Sequence, residues 1–197
     1  MTHTVAEGVA STGEFGGTRT DLTIAFTDLE GFTAFTAAEG DDAAGRVLLA
    51  HHRQADRLAR RRGGRVVKRL GDGLLLAFAS PPAAVLTCLE LRRTAPLRMR
   101  AGLHRGAVNV TADDDVLGHV VNLASRVAAS ARPGELLVTD DVRAGAAALS
   151  CLVFDGPTMR RFKGIDEPVP VSATSRTACD WNPTQNFAET APTTYDP

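Results

Sequence analysis

One stretch limits the folds open to this chain more than any other: Thr23-Ile24-Ala25-Phe26-Thr27-Asp28-Leu29-Glu30-Gly31-Phe32-Thr33. Leu22, Ile24 and Phe26 alternate with Thr23, Ala25 and Thr27, the period of a strand with one face on a core. The run rises to a carboxylate, Asp28, and breaks at once into a Gly-containing turn that should hand over to a helix. Such a strand end holds a carboxylate rigidly, and the turn offers backbone N–H groups to phosphate oxygens at a helix start. A second carboxylate, Asp72, stands at the tip of a hairpin predicted from Lys68-Arg69-Leu70-Gly71-Asp72-Gly73. Two acids on neighbouring strands form a candidate two-metal site.

The rest of the chain supplies the frame. Asp41 and Asp42 can cap a helix whose positions Ala44, Val47, Leu48, His51, Ala55 and Leu58 recur at helical spacing, ending near Gly63-Gly64. Arg65 to Leu70 and Leu74 to Phe78 read as paired strands, closed by Pro81-Pro82. An amphipathic helix through Ala84, Val85, Cys88, Leu89 and Leu91 ends by Pro96, before a strand from Leu97 to Val110. The order strand, helix, strand, strand, helix, strand predicts an α+β fold, a ferredoxin-like βαββαβ sandwich with helices on one face of an antiparallel sheet. A helix over 118–131, short strands near 136–139, 152–155, 160–162 and 169–173, and a small helix between the first two strands extend it. Residues 1–20 and 176–197 are polar and unpatterned, which predicts flexible tails around one domain, 21–175.

Bulk properties exclude several function classes. With 197 residues, 44% hydrophobic, the chain can bury one full core. A formal net charge of -1 gives no global field for nucleic acid or an anionic membrane, so phosphate affinity has to be local. Cys88, Cys151 and Cys179 have no metal-ligand spacing and their odd number fits a reducing cytoplasm. No apolar run reaches the length of a membrane span and no leader-like start is present, so the expectation is a cytoplasmic protein.

Further candidates lie along the frame. Asn122 and Arg126 are spaced i, i+4 and project from one helix face. They read either as a solvated polar stripe or as an amide and a guanidinium set to orient a sugar and neutralise phosphoryl charge. Lys68, Asp115, Arg100 and Lys163, taken singly, read as surface residues. His104 reads as structural, and His51, His52 and His119 share no spacing that suggests zinc.

Taken together, these residues resemble the class III nucleotide cyclase catalytic domain, the family of adenylate and guanylate cyclases. The similarity runs from about Leu22 to Ala173. Its motifs stand in the family's order: Phe26-Thr27-Asp28-Leu29-Glu30-Gly31-Phe32-Thr33, then Lys68 before Gly71-Asp72-Gly73, and Arg100 with Gly102-Leu103-His104. Asp115 with Gly118, Asn122 with Arg126, and Phe162-Lys163-Gly164 follow.

The resemblance implies roles. Asp28, Asp72 and the backbone carbonyl of Leu29 would bind two divalent cations, Mg²⁺ or Mn²⁺, one activating a ribose 3′-hydroxyl and the other holding a triphosphate. Gly31, Phe32, Thr33, Arg100 and Lys163 would bind phosphates, Asn122 would orient the ribose, and Arg126 would stabilise the transition state. Lys68 and Asp115 match the N1 acceptor and N6 donor of adenine, and guanine presents the reverse. The expected substrate is therefore ATP and the product cyclic AMP, with a guanylate cyclase or a non-catalytic nucleotide-binding module as alternatives. The family builds each site from both protomers, so a homodimer is implied. The segment from Gly106 to Asp115 is shorter than in many relatives, which implies a weak, substrate-promoted one.

Overall fold

The structure is a computed structural model that describes residues 17–177. Of the flexible segments expected over 1–20 and 176–197, residues 1–16 and 178–197 lie outside the described residues, while Thr18 to Thr20 and Arg176 are corrected to strand. Strand β1 (Thr18–Leu29) starts three residues before the expected boundary and leads through Gly31 into α1 (Phe32–Glu39) and, past Gly40, into α2 (Asp41–Arg60). The hairpin β2 (Gly64–Leu70) and β3 (Gly73–Phe78) follows, then α3 (Pro81–Thr94) and β4 (Met99–Val110). A short β5 (Val116–Leu117) precedes α4 (His119–Ser130), β6 (Leu136–Thr139) and α5 (Asp140–Ala146). Strands β7 (Leu152–Phe154), β8 (Thr158–Arg160) and β9 (Val169–Arg176) end the described chain.

The sheet runs β2-β3-β1-β4-β6-β9-β7, with β5 on β4 and β8 on β9. Its first four strands are antiparallel neighbours in the order expected of the ferredoxin-like plan, and β6 adds parallel to β4. The expected single-sided β1 is corrected here: Ile24 and Ala25 point to opposite faces, and both are fully buried. Ala25 meets a core built with Leu58 of α2 and Leu86 of α3, and Ile24 meets one built with Val120 and Ala124 of α4. Helices therefore cover both faces, because α4 returns across the side that α2 and α3 leave open.

Local chemistry accounts for the other departures. Asp41 and Asp42 do not cap α2; Gly40 is the cap residue, and the two acids occupy the first turn, where they complement the helix dipole. Pro81 and Pro82 do not merely close the hairpin. They are the first residues of α3, where a missing N–H costs nothing, and Ser80 Oγ accepts from Ala83 N at 3.5 Å. Nor is α3 half-exposed: Val85, Leu86, Cys88 and Leu91 are all buried, since it lies among the sheet, α2 and α5. No helix among the described residues is long and apolar enough to cross a membrane.

Candidate active site

Register places the first carboxylate. Asp28 ends β1 opposite Arg100 on β4, and across the other edge it neighbours the start of β3, where Thr27 pairs Leu74. Arg100 donates to Asp28 Oδ2 from Nε at 2.8 Å and Nη2 at 2.6 Å. On the other side stands Gly73, where a Cβ would lie 2.9 Å from the Thr27 carbonyl oxygen and 3.9 Å from Asp28 Oδ1. A residue without a side chain therefore keeps the second carboxylate oxygen accessible. Asp72 precedes Gly73 in a two-residue turn whose other member, Gly71, has φ 68°. Asp28 and the turn that carries Asp72 lie at the same end of the sheet, where β1 and β3 are neighbours.

The turn after Asp28 is shaped for an anion. Gly31 adopts φ 76°, ψ 14°, a left-handed conformation that favours glycine, and no side chain caps α1 behind it. The first N–H groups of α1, from Phe32 and Thr33 onward, point out of the helix start, and no acidic residue occupies that turn to compete with a phosphate. A cavity of about 230 Å³ beside Asp28 is walled by Phe26, Thr27, Leu70, Gly73, Arg100, Ser125, Ala128 and Ala129. Its size falls below the ~300–1,000 Å³ usual for ligand sites. Sequence reasoning did not single out Ser125 or Leu70; Ser125 is signalled only by its place on α4 between Asn122 and Arg126.

Lys68 and Asp115 meet elsewhere on the α4 face. Lys68 pairs with Leu75, which pairs with Phe26, so it lies outward of β1 on the edge strand. The β4–β5 hairpin folds over that face through Val116, which packs with Ile24 and Leu75. It turns at Asp114, a residue with φ 59° whose carbonyl accepts from Arg65 Nη1 at 2.6 Å. Asp115 Oδ2 then lies 2.6 Å from Lys68 Nζ, and Asp115 Oδ1 accepts from Val116 N at 2.8 Å. The Lys68 hydrogen bond holds the Asp115 carboxyl below its ordinary pKa.

Asn122 and Arg126 are exposed on α4, one turn apart, and neither side chain has a hydrogen bond or ion pair among the described residues. Buried Val120, Leu123, Ala124 and Val127 anchor the opposite side of the helix. Lys163 follows β8, in a turn closed by Ile165 N to the Phe162 carbonyl. Phe162 and Ile165, which flank it, pack with Leu123, Val127 and Ala131, and β8 is separated from β1 in the sheet by β4, β6 and β9. One chain thus brings Asp28, Asp72, Arg100 and the Gly31 turn together, and Lys68 with Asp115, but it separates Lys163 from both aspartates.

The family model described as the Adenylate and Guanylate cyclase catalytic domain matches residues 17–154. The chain belongs to this family. A protein of Mycobacterium tuberculosis, Rv2212, is 33% identical over 168 residues, covering 80% of this chain and 42% of that protein. An adenylate cyclase of Streptomyces coelicolor is 35% identical over 122 residues, 59% of this chain and 32% of its own length. The chain therefore spans less than half the length of the curated relatives it matches. Among solved structures, the adenylyl cyclase CyaB of P. aeruginosa superposes with a TM-score of 0.76 at 23% identity, over 83% of this chain and 98% of that one. At that identity the likeness is one of fold, and the cyclase domain described here shares it.

The donor set fits hard cations. Asp28, Asp72 and the Leu29 carbonyl offer only oxygen, the choice of Mg²⁺ and Mn²⁺ rather than of softer metals. Gly73 leaves Asp28 Oδ1 unobstructed from the strand beside it. Among the described residues no three His, Cys, Asp or Glu side chains come together, so carbonyl, water or substrate oxygens would complete the coordination.

Proposed function

We propose that this domain is an adenylate cyclase, which closes ATP to 3′,5′-cyclic AMP and releases pyrophosphate at a site shared between two copies of the chain. The observation that carries the choice of base is the Lys68–Asp115 pair, which holds one donor and one acceptor side by side at 2.6 Å. An ammonium donor suits adenine N1 and a carboxylate suits the N6 amino group. Guanine would leave both unsatisfied, at ~1–3 kcal/mol each. Placed so, substrate ATP puts the reaction in the cytoplasm.

The remaining residues act by position and charge. The Gly31 turn and Arg100 hold triphosphate oxygens, with Arg100 leaving Asp28 as it does so. Two divalent cations, Mg²⁺ or Mn²⁺, held by Asp28, Asp72 and the Leu29 carbonyl, would supply Lewis-acid charge beside the reacting oxygens. Asn122 fixes the ribose so that its 3′-oxygen lies in line with the α-phosphorus. The new O3′–P bond forms as the bond to the bridging oxygen breaks; pyrophosphate carries off the electron pair, and the hydroxyl proton passes to solvent. Arg126 neutralises charge growing on the phosphoryl oxygens, and Lys163 binds the phosphates from its loop.

What favours a shared site is the division of these groups over one chain. The cavity at Asp28 is small, while Asn122 and Arg126 face outward and Lys163 follows a strand four places across the sheet from β1. A second copy, turned about a two-fold axis, can bring its α4 face to the aspartates of the first, and the same contact recurs reciprocally. The test is Mn²⁺-dependent cyclic AMP formation from ATP, with Asp28→Ala and Arg126→Ala assayed alone and mixed. Each alone should lose ~10²–10³-fold in turnover, and the mixture should recover part of the activity because one composite site is intact. No recovery would overturn the shared site; nucleotide binding without product would overturn the enzyme.

A further inference from the structure

The β4–β5 hairpin presents Asp115 with little support of its own. Strand β5 pairs β4 only at Asn109 with Leu117 and Val110 with Val116, and of residues 111–117 Val116 alone is buried. Three consecutive carboxylates, Asp113, Asp114 and Asp115, crowd the turn, and Asp114 takes φ 59°, a region that residues with a Cβ disfavour. Repulsion among the charges and the left-handed backbone both favour other conformations of such a turn. A carboxylate that reads a base edge must keep its place, so the hold has to come from outside the turn.

Strand β2 supplies it through a bulge. Strict alternation would send Arg65 and Lys68 to opposite faces of the sheet, since they stand three positions apart. The register shifts between Val66 and Lys68, so that Arg65 pairs with Ala77 and Lys68 with Leu75. Ala77 and Leu75 both pack on the α4 side, and both cations therefore come up beneath the hairpin. Arg69, the next residue, turns the other way, to Asp56 of α2. The two cations grip different parts of the turn. Lys68 Nζ meets Asp115 Oδ2 at 2.6 Å, whereas Arg65 Nη1 donates to the Asp114 carbonyl oxygen at 2.6 Å.

We infer that Arg65 is a positioning residue for base recognition: by holding the Asp114 carbonyl it fixes Asp115 where Asp115 and Lys68 together match an adenine edge. Binding the main chain leaves both Asp115 oxygens to other partners, Oδ1 to Val116 N and Oδ2 to Lys68 or an incoming amino group. When a base draws on Lys68, the Arg65 bond still holds the turn, and a bond from a guanidinium is stronger than one between neutral groups. The inference deepens the adenylate cyclase reading and rests on it.

Equilibrium binding tests it without turnover. The full chain, Arg65→Ala and Arg65→Lys are titrated with non-cyclisable analogues of ATP and GTP and with tripolyphosphate, all with Mn²⁺. Hydrogen exchange is read at the amides of Asp114 and Asp115, both of which bond to Thr111 within the turn. Arg65 is partly exposed, so both variants should fold. Arg65→Ala should weaken binding of the ATP analogue ~10-fold and speed exchange at those amides, leaving the GTP analogue and tripolyphosphate within about twofold. Arg65→Lys, which keeps the charge and a donor, should restore most of the preference for ATP. A loss shared equally by all three ligands marks a residue that only supports the fold and overturns the inference, as does unchanged exchange. An unaltered chain with no preference between the analogues sinks the base reading and the inference with it; a preference that survives intact in Arg65→Ala sinks the inference alone.

Discussion

Arg100 binds one oxygen of the Asp28 carboxylate and Lys68 one oxygen of Asp115, so these four groups are paired before any nucleotide arrives, while Arg126 is not. The two pairs differ in what a nucleotide would do to them. At Asp28 the guanidinium has to move toward phosphate for cations to approach, whereas Lys68 and Asp115 can read a base edge while staying neighbours. That argues for a charge-reversed pair as the cleanest test of base choice. Lys68→Glu combined with Asp115→Lys keeps the ion pair and should keep the fold, but now presents an acceptor to N1 and a donor to position 6. The expected outcome is a fall of ~10–100-fold in kcat/KM for ATP and a gain for GTP, read from initial rates with both nucleotides. An unchanged ratio would remove these residues from base recognition. The types and order of Asp28, Asp72, Lys68, Asp115, Asn122 and Arg126 are legible in the sequence. The Asp28–Arg100 bond is not, because it depends on cross-strand register, which comes from pairing energies spread along both strands.

At the scale of elements, strong periodicity was readable and crowding was not. The helices α2, α3 and α4 announce themselves by apolar spacing, and Gly71-Asp72-Gly73 announces the hairpin. The two-residue β5 is too short to show a period, and nothing local reveals that α4 crosses β4 at Gly102. There an added Cβ would come within 2.5 Å of the Ala128 Cα. Gly102→Ala should therefore lift α4 from the sheet and cost ~1–3 kcal/mol or more, read as a lowered urea midpoint. A midpoint equal to that of the unaltered chain would contradict the close crossing. Helix α2 carries a pH dependence of its own. His51 titrates near 6.5 when unfolded and at about 4 when folded, so between those values the unfolded chain binds the extra proton. Stability falls as pH drops from 6.5 to 4, by at most about 3 kcal/mol from this residue. Burial depresses His52 and His104 with the same sign, while the lowered Asp115 carboxyl keeps its contribution above its ordinary 3.8 and loses it only below. His51→Phe should flatten the slope of urea midpoint against pH across that window.

At the scale of the whole molecule, the question is what brings the two groups of residues into one site. Within a chain they lie apart, since β8, which leads to Lys163, stands four places across the sheet from β1 and the Asn122–Arg126 stripe faces outward. Two exposed leucines stand where a second copy would be needed: Leu70, 50% exposed on the wall of the Asp28 cavity, and Leu117, 47% exposed two residues beyond Asp115. Isolated apolar residues on a surface need no explanation. These two flank the cation end and the base-reading end, so a partner would cover them as it completed the site. The short β4–β5 connection adds no long arm. The association should therefore be weak until nucleotide and cations bridge the charges of both copies, which links dimerisation to ligand by mass action. Sedimentation velocity should show mostly monomer at micromolar concentration without nucleotide, and a shift to dimer on adding Mn²⁺ with a non-cyclisable ATP analogue. Leu70→Asp should weaken that shift about tenfold or more and lower activity in proportion at low protein concentration, with recovery at high concentration. A dimer that persists at nanomolar concentration without nucleotide would refute the linkage, and a Leu70→Asp chain that dimerises like the unaltered one would move the interface away from the Asp28 cavity.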